Sequence, residues 1–441
     1  MSLRNHRETG LWPGLAALAS FAVLCFAILS TAPALLQPDD YAYRASIIAI
    51  TQGHFLTLST DQAHALGAQF AAVGPRARLA GNAAGGAPAL TQWVQLPGGR
   101  WISEKDPGYP FLAAAFQWLG VIRLGPVCYG ALGCLGLFFG ARRWLGGTGA
   151  AAAVGLYCSS GAALLFAWSD YMPTFTDASL IAAGTGALLW ALLASEATAR
   201  RRTGAGLLGF LALEAAVFVR YTDIVVLGCA VAAVVAVRWR RPASVPRGAL
   251  GCWLGSVVLF GAAVATFDDL VYGGPLKSGY RPGEVTFGLG AVPANLRQMP
   301  AHLIQAMPIL VLALAGLAWI CWRRVRRRYT AGEPAEIARR DFAVGLALAA
   351  SWCAVWGLYA TYTWTTQPHL TTLAASRFYV PALGAMALLG AWLVARLPRR
   401  APKAAAACVV VAAFGLGVWS FHAMLNQARP GPPPAAHSVR R

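Results

Sequence analysis

Charge is what this sequence has least of. Only 12% of its 441 residues are Asp, Glu, Lys or Arg, against about 25% in a soluble domain. So little polar surface over this length excludes a water-soluble globule. No CxxC pair occurs among the nine cysteines (Cys25, Cys128, Cys134, Cys158, Cys229, Cys252, Cys321, Cys353 and Cys408), and all lie in apolar stretches. That excludes a disulfide framework or a thiolate metal centre and leaves them as small packing residues. His54 and His64, in the longest loop, have no ligand spacing. The sequence therefore indicates no cofactor and no metal ligand set, although a carboxylate could still take a divalent ion. No internal repeat of the kind found in many secondary transporters is visible.

What is present in abundance is apolar: 57% of residues, with a mean hydropathy of +0.54. Blocks at about 11–36, 107–124, 125–141, 148–168, 175–195, 204–219, 222–237, 248–267, 302–322, 342–362, 377–396 and 403–422 approach the ~20 residues that cross a bilayer. The chain reads as an all-α polytopic membrane protein. The first block follows Arg4 and Arg7 and exceeds a signal-peptide core of about 7–15 residues, so it reads as an uncleaved first span with the N-terminus in the cytoplasm.

The net charge of +19 would suit nucleic acid if it formed a patch. Instead it sits in short loops between apolar blocks, where Lys and Arg report orientation, and a nucleic-acid partner is excluded. If 107–124 lies along the outer surface, the clusters Arg142/Arg143, Arg200–Arg202, Arg238–Arg247, Arg323–Arg328, Arg339/Arg340 and Arg396–Lys403 all fall in the cytoplasm. If it crosses, no single orientation accommodates them. The expectation is eleven spans, one transmembrane domain over 1–422, and a disordered non-cytoplasmic tail at 423–441.

Most acids then fall on the outer side, which points to a polar working surface there. The outer segments are 37–124, 268–300 and 363–376. The first opens with an amphipathic helix (Asp40 to Thr51) expected to lay Ile47, Ile48 and Ile50 on lipid. It continues through a flexible Gly/Ala-rich stretch at 79–87. Gln92–Leu96 and Arg100–Ile102 then flank Pro97-Gly98-Gly99 as a hairpin.

Three constellations carry chemistry. Gln37-Pro-Asp-Asp-Tyr-Ala-Tyr43 sets two carboxylates at a membrane edge, where they need water, a cation or a substrate to compensate them. Asp39 is suited to accepting a proton or capping the helix that follows. Ser103-Glu-Lys-Asp-Pro-Gly-Tyr-Pro110 presents Lys105, a compact cation suited to phosphate, between Glu104 and Asp106. Arg220, Arg281 and Arg377 sit at outer ends of spans, where positive charge is disfavoured unless an anion holds it.

These motifs resemble those of the GT-C glycosyltransferases that use lipid-phosphate sugars. Gln37-Pro-Asp-Asp-x-x-Tyr43 is similar to the Gln-Pro-Asp-Glu-x-x-Tyr of aminoarabinose transferases and to the Asp-Glu motif of protein O-mannosyltransferases. Ser103 to Pro110 is similar to their Lys-Pro-Pro-x-Tyr-Pro element, with Asp106 where the first Pro stands. Val271-Tyr-Gly-Gly-Pro-Leu-Lys277-Ser-Gly-Tyr280 and Arg220-Tyr221-Thr resemble bacterial members.

The resemblance implies a GT-C-like helical bundle whose first outer loop carries surface helices. It implies an inverting sugar transfer from a polyprenyl-phosphate donor to an acceptor on the non-cytoplasmic face, while the high Ala, Gly and Arg content points to a GC-rich bacterium and hence its inner membrane. Asp39 would be the catalytic base with Asp40 beside it, and Lys105 would bind the carrier phosphate. Tyr43, Glu104, Asp106, Tyr109, Arg220, Tyr221, Lys277, Tyr280 and Arg377 are the expected substrate contacts. A lipid-linked saccharide transporter or flippase is the alternative from another class, and a polysaccharide polymerase or ligase a nearer one.

Overall fold

The computed structural model describes residues 11–30, 37–73, 90, 92–96, 98–241, 245–280, 283–326, 335–368, 370–397 and 402–428. Arg281, the stretch 79–87 and residues 429–441 lie outside them. Helix α1 (Trp12–Leu29) is followed by the surface helices α2 (Pro38–Thr51) and α3 (Thr60–Val73). Three short strands, β1 (Thr57–Leu58), β2 (Trp93–Gln95) and β3 (Trp101–Ser103), make one antiparallel sheet with β3 central. The expected hairpin is its β2–β3 pair, with Val94 opposite Ile102.

Helix α4 (Gly108–Trp118) has 11 residues. At ~1.5 Å per residue it is half the length needed to cross. Trp118 and Leu119 are exposed at its end, as suits a helix lying along an interface. The segment 107–124 therefore does not span.

Helix α5 (Leu124–Ser159) is 36 residues long but turns at Gly146, where φ is +82°. The Sγ atoms of Cys134 and Cys158 are 3.5 Å apart, so the two legs double back on each other. The second leg runs on, after a break at Ser160, into α6 (Gly161–Trp168). Helices α7 (Thr174–Leu193), α8 (Ala199–Val219), α9 (Ile224–Arg240) and α10 (Arg247–Tyr272) follow. Then come α11 (Val292–Ala306), α12 (Leu310–Arg326), α13 (Ala335–Ala360), the short α14 (Thr372–Ser376), α15 (Leu383–Val394) and α16 (Pro402–Ala428).

Among the described residues, eight helices are long and apolar enough to cross a membrane, or nine if one bent pair counts as a single span. The chain is a multi-pass membrane protein. Eleven exceeds that count, and the excess lies in segments that fail on length or continuity: the second leg of α5 with α6, and the short Val380–Val394. The expected span 302–322 is not continuous either. Leu289–Ala306 and Leu310–Arg326 meet at 107°, where Pro308 has no N–H to continue the helix. The helical part of α16 reaches Ala428, so residues 423–428, expected in a disordered tail, are helical. Ile47 is fully buried, so that face of α2 packs on protein instead of lipid.

Small residues set the packing. A Cβ added at Gly136 would stand 2.5 Å from the Ala183 Cα, and one at Gly186 would stand 2.0 Å from the Gly136 carbonyl oxygen. In a bilayer such close approach, not water exclusion, drives helix association. At the basic end of the bundle, buried Asp341 accepts from Trp144 Nε1 (3.0 Å), Trp392 Nε1 (3.0 Å) and Arg396 (2.6 Å), tying α5, α13 and α15 together. Gly186→Ala is expected to cost about 1–3 kcal/mol through overpacking, read as a lower melting temperature in detergent. Gly255→Ala, with nothing within 4 Å, is expected to stay within about 0.5 kcal/mol.

Candidate active site

The site forms at the end of the bundle opposite Asp341, and its first element is the start of α2. Pro38 occupies the first turn, where its missing N–H costs nothing. The Gln37 backbone N–H donates to Asp40 Oδ2 at 2.8 Å. Ser169 donates to Asp40 Oδ1, also at 2.8 Å. Asp40 is thus consumed in capping and anchoring, buried at 1% exposure, and it does not line the cavity. Its expected catalytic part is corrected on that ground.

One residue earlier on a helix faces about 100° away, and Asp39 looks into the cavity. Gln92 Nε2 donates to its Oδ1 at 2.9 Å, Arg377 Nη1 to its Oδ2 at 2.5 Å, and Lys105 Nζ lies 3.5 Å from Oδ1. Burial pushes this carboxyl up, but Arg377 and Lys105 together outweigh it and hold it below the usual carboxylate range.

Lys105 is brought there by two close backbone contacts. A Cβ on Gly108 would fall 2.3 Å from the Phe218 carbonyl, and one on Gly279 would fall 2.5 Å from the Glu104 Cα. The first contact seats the 105–109 turn on the end of α8. The second seats the loop after α10 on Lys105, placing the Tyr280 hydroxyl 3.4 Å from Nζ. Glu104 stands behind, 3.4 Å from Nζ, and outside the cavity lining. Burial disfavours the lysine's charge, yet Asp39 and Glu104 reverse this and raise its pKa.

Arg220 caps the end of α8. It donates to the Arg377 carbonyl (3.0 Å) and the Thr174 hydroxyl (3.3 Å), with Asp177 at 3.7 Å. The Arg377 guanidinium lies over the rings of Trp364 and Phe378, 5.1 and 4.7 Å from their centroids. It also donates to Gln37 Oε1 at 2.6 Å.

These groups line one cavity of about 410 Å³. Asp39, Tyr43, Lys105, Asp106, Arg220, Tyr221, Tyr280 and Arg377 all border it. Three expected contacts do not: Glu104, already placed behind Lys105, and Tyr109 and Lys277. Tyr109 is buried behind Tyr43, ring edge to face at 5.6 Å, and donates to the Asp170 carbonyl. Lys277 is exposed and donates to the Gly273 carbonyl at 3.0 Å, closing the end of α10. Tyr359, Tyr362, Phe378 and Thr222, which border the cavity, and Gln92, which bonds Asp39, were not among the expected site residues. Tyr359-x-x-Tyr362 looks in the sequence like an interfacial aromatic pair, but both rings line the cavity against Phe378, and the Tyr359 and Thr222 hydroxyls meet at 2.7 Å. Among the described residues no three His, Cys, Asp or Glu side chains are grouped to hold a metal ion.

No sequence-family model matches this chain, and no curated protein sequence does. Solved structures match over nearly its whole length. ArnT from Cupriavidus metallidurans bound to undecaprenyl phosphate superposes with a TM-score of 0.51 at 16% identity, covering 94% of this chain and 70% of that one. The apo state of ArnT gives 0.50 at 16%, covering 92% and 63%. The apo oligosaccharyltransferase of Archaeoglobus fulgidus gives 0.53 at 12%, covering 97% and 57%. The chain thus spans under two thirds of the length of those two apo structures. It has the fold they share, the GT-C architecture that its motifs resemble.

Asp40→Ala is expected to lower stability by about 1–3 kcal/mol, since it leaves buried donors unpaired. Lys277→Ala is expected to be neutral within about 0.5 kcal/mol. Melting of the purified protein in detergent checks both, and a neutral Asp40→Ala would refute the anchoring role.

Proposed function

We propose that this chain is a membrane glycosyltransferase that takes a sugar from a polyprenyl-phosphate carrier and passes it, with inversion, to an acceptor hydroxyl on the non-cytoplasmic face of a bacterial inner membrane. The observation that carries this reading is the meeting of Asp39 with Lys105, Arg220 and Arg377 at one cavity, although Asp39 and Arg377 are 338 residues apart in sequence. Three cations and two carboxylates, Asp39 and Asp106, line the cavity, which leaves net positive charge for an anionic ligand. The basic clusters at the other end of the bundle support a cytoplasmic position for that end. The likeness to ArnT bound to undecaprenyl phosphate supports a lipid phosphate as that ligand.

In this reading the acceptor O–H breaks and its proton passes to Asp39. The acceptor oxygen bonds to the anomeric carbon, and the bond from that carbon to the phosphate oxygen breaks with its electron pair on the phosphate. The phosphate leaves as a stable anion, so no carboxylic acid need protonate it, unlike the two-carboxyl arrangement of glycosidases. Lys105, Arg220 and Arg377 stabilise the charge that develops there.

Asp39 at rest is a weak base, because Arg377 and Lys105 hold it ionised. A bound phosphate competes for those same cations. Every contact it draws from Asp39 raises the proton affinity of the carboxylate, about 1.4 kcal/mol for each pKa unit regained. Donor binding therefore prepares the base.

Asp39→Asn is expected to reduce transfer by at least about 10²-fold while the nanodisc-embedded protein still binds undecaprenyl phosphate. Arg377→Ala is expected to weaken that binding. Transfer of labelled sugar from a panel of polyprenyl-phosphate sugars, run beside carrier binding, checks both. Undiminished transfer by Asp39→Asn removes Asp39 from the role, and a wild-type chain that binds no carrier removes the reading.

A further inference from the structure

Asp106 has no part in the chemistry above, yet its carboxyl borders the same cavity as the three cations. It follows Lys105 directly, and the Gly108–Phe218 contact brings its turn against Arg220 and Tyr221. In the motif this segment resembles, a proline stands here, so the acid is a property of this chain. An ionised carboxylate would set a second anion beside any phosphate held by Lys105 and Arg220. Two anions at contact in a half-buried site coexist when a proton lies between them.

We propose that Asp106 meets the carrier phosphate in its acid form, donating a hydrogen bond to a phosphate oxygen, so that binding takes up one proton at this carboxyl. The proposal rests on the carrier reading and adds to it a residue that senses the ligand's charge. An O–H···O⁻ bond of this kind is short and strong. It turns a group that would repel the phosphate into a further donor beside Lys105, Arg220 and Arg377.

The surroundings of Asp106 make the proton available. Lys105 from its own segment, Arg220 and the Tyr221 backbone N–H all favour the charged form. Asp177 and Asp223, behind Arg220, oppose it. The phenols of Tyr43 from α2, Tyr221 after α8, Tyr272 at the end of α10 and Tyr280 from the following loop also face it. Burial outweighs the cations and pushes the carboxyl up to about 7. Below that pH the group is neutral and the cavity more positive. Above it the carboxylate forms and opposes an incoming anion.

The test uses full-length protein in nanodiscs and a polyprenyl methyl phosphodiester, which carries one charge from pH 6 to 9. Wild-type affinity is expected to fall about tenfold per pH unit above 7. Asp106→Asn is expected to be flat across the range and tighter than wild type at pH 9. Glu104, pushed up to about 7 by burial and by Glu284 against Lys105, is the competing source of such a slope, and Glu104→Gln is expected to keep it. Calorimetry of the wild type at pH 8 in two buffers of different ionisation enthalpy is expected to show uptake of about one proton, with no variant required. A flat wild-type profile, a slope that survives in Asp106→Asn, or one lost in Glu104→Gln overturns the assignment to Asp106. Absence of binding by every form at every pH overturns the carrier reading instead, and this proposal with it. Inorganic phosphate at millimolar concentration is expected not to displace the lipid; displacement would assign the site to free phosphate and overturn its lipid part.

Discussion

The ion cluster of Asp39, Arg377 and Lys105 is the constraint on which the rest of the site depends. Each member is at most 13% exposed, so none of them rests in bulk water. Leaving one such charge unpaired typically costs several kcal/mol, and the cluster therefore holds three remote segments in register: the start of α2, the turn before α4 and the residues after α14. The same mutual compensation gives the site its chemistry. A carboxylate held ionised by cations is kept from acting as a base until another anion claims them.

Two adjacent aspartates divide structure from chemistry by helical geometry alone. Asp40 points back into the protein, closing the first turn and taking the Ser169 hydroxyl. Asp39, rotated by one residue, points into the cavity. Because the cap fixes the helix start, it also fixes the direction of Asp39, so the anchored acid positions the one that faces the cavity.

Glycines do comparable work at two scales. Along α5 and α7 they let backbones touch where a side chain would not fit, and so close the bundle. At the site, Gly108 and Gly279 do the same for two loops, stacking the Tyr280 loop on Lys105 and the Lys105 turn on the end of α8. Precision at a membrane edge, where loops have little apolar surface to bury, comes here from backbone contact more than from a hydrophobic core.

The sequence by itself determined the membrane class and the hairpin, and it singled out the segment 107–124, whose helix is too short to cross, and Asp39, Lys105, Arg220 and Arg377, which meet at one cavity. Each follows from local physics: apolar length, charge asymmetry, turn chemistry, and ionisable groups at span ends that need partners. It could not separate Asp39 from Asp40, or show that Lys277 caps its own helix while Tyr280, three residues on, reaches the cavity. Nor could it show that the helix in 377–396 is short or that the chain breaks at Pro308, because both depend on how neighbouring helices pack. Only the tertiary structure decided which charges meet, since side-chain direction and the approach of remote backbones are set by the whole bundle and leave no periodic trace along the chain.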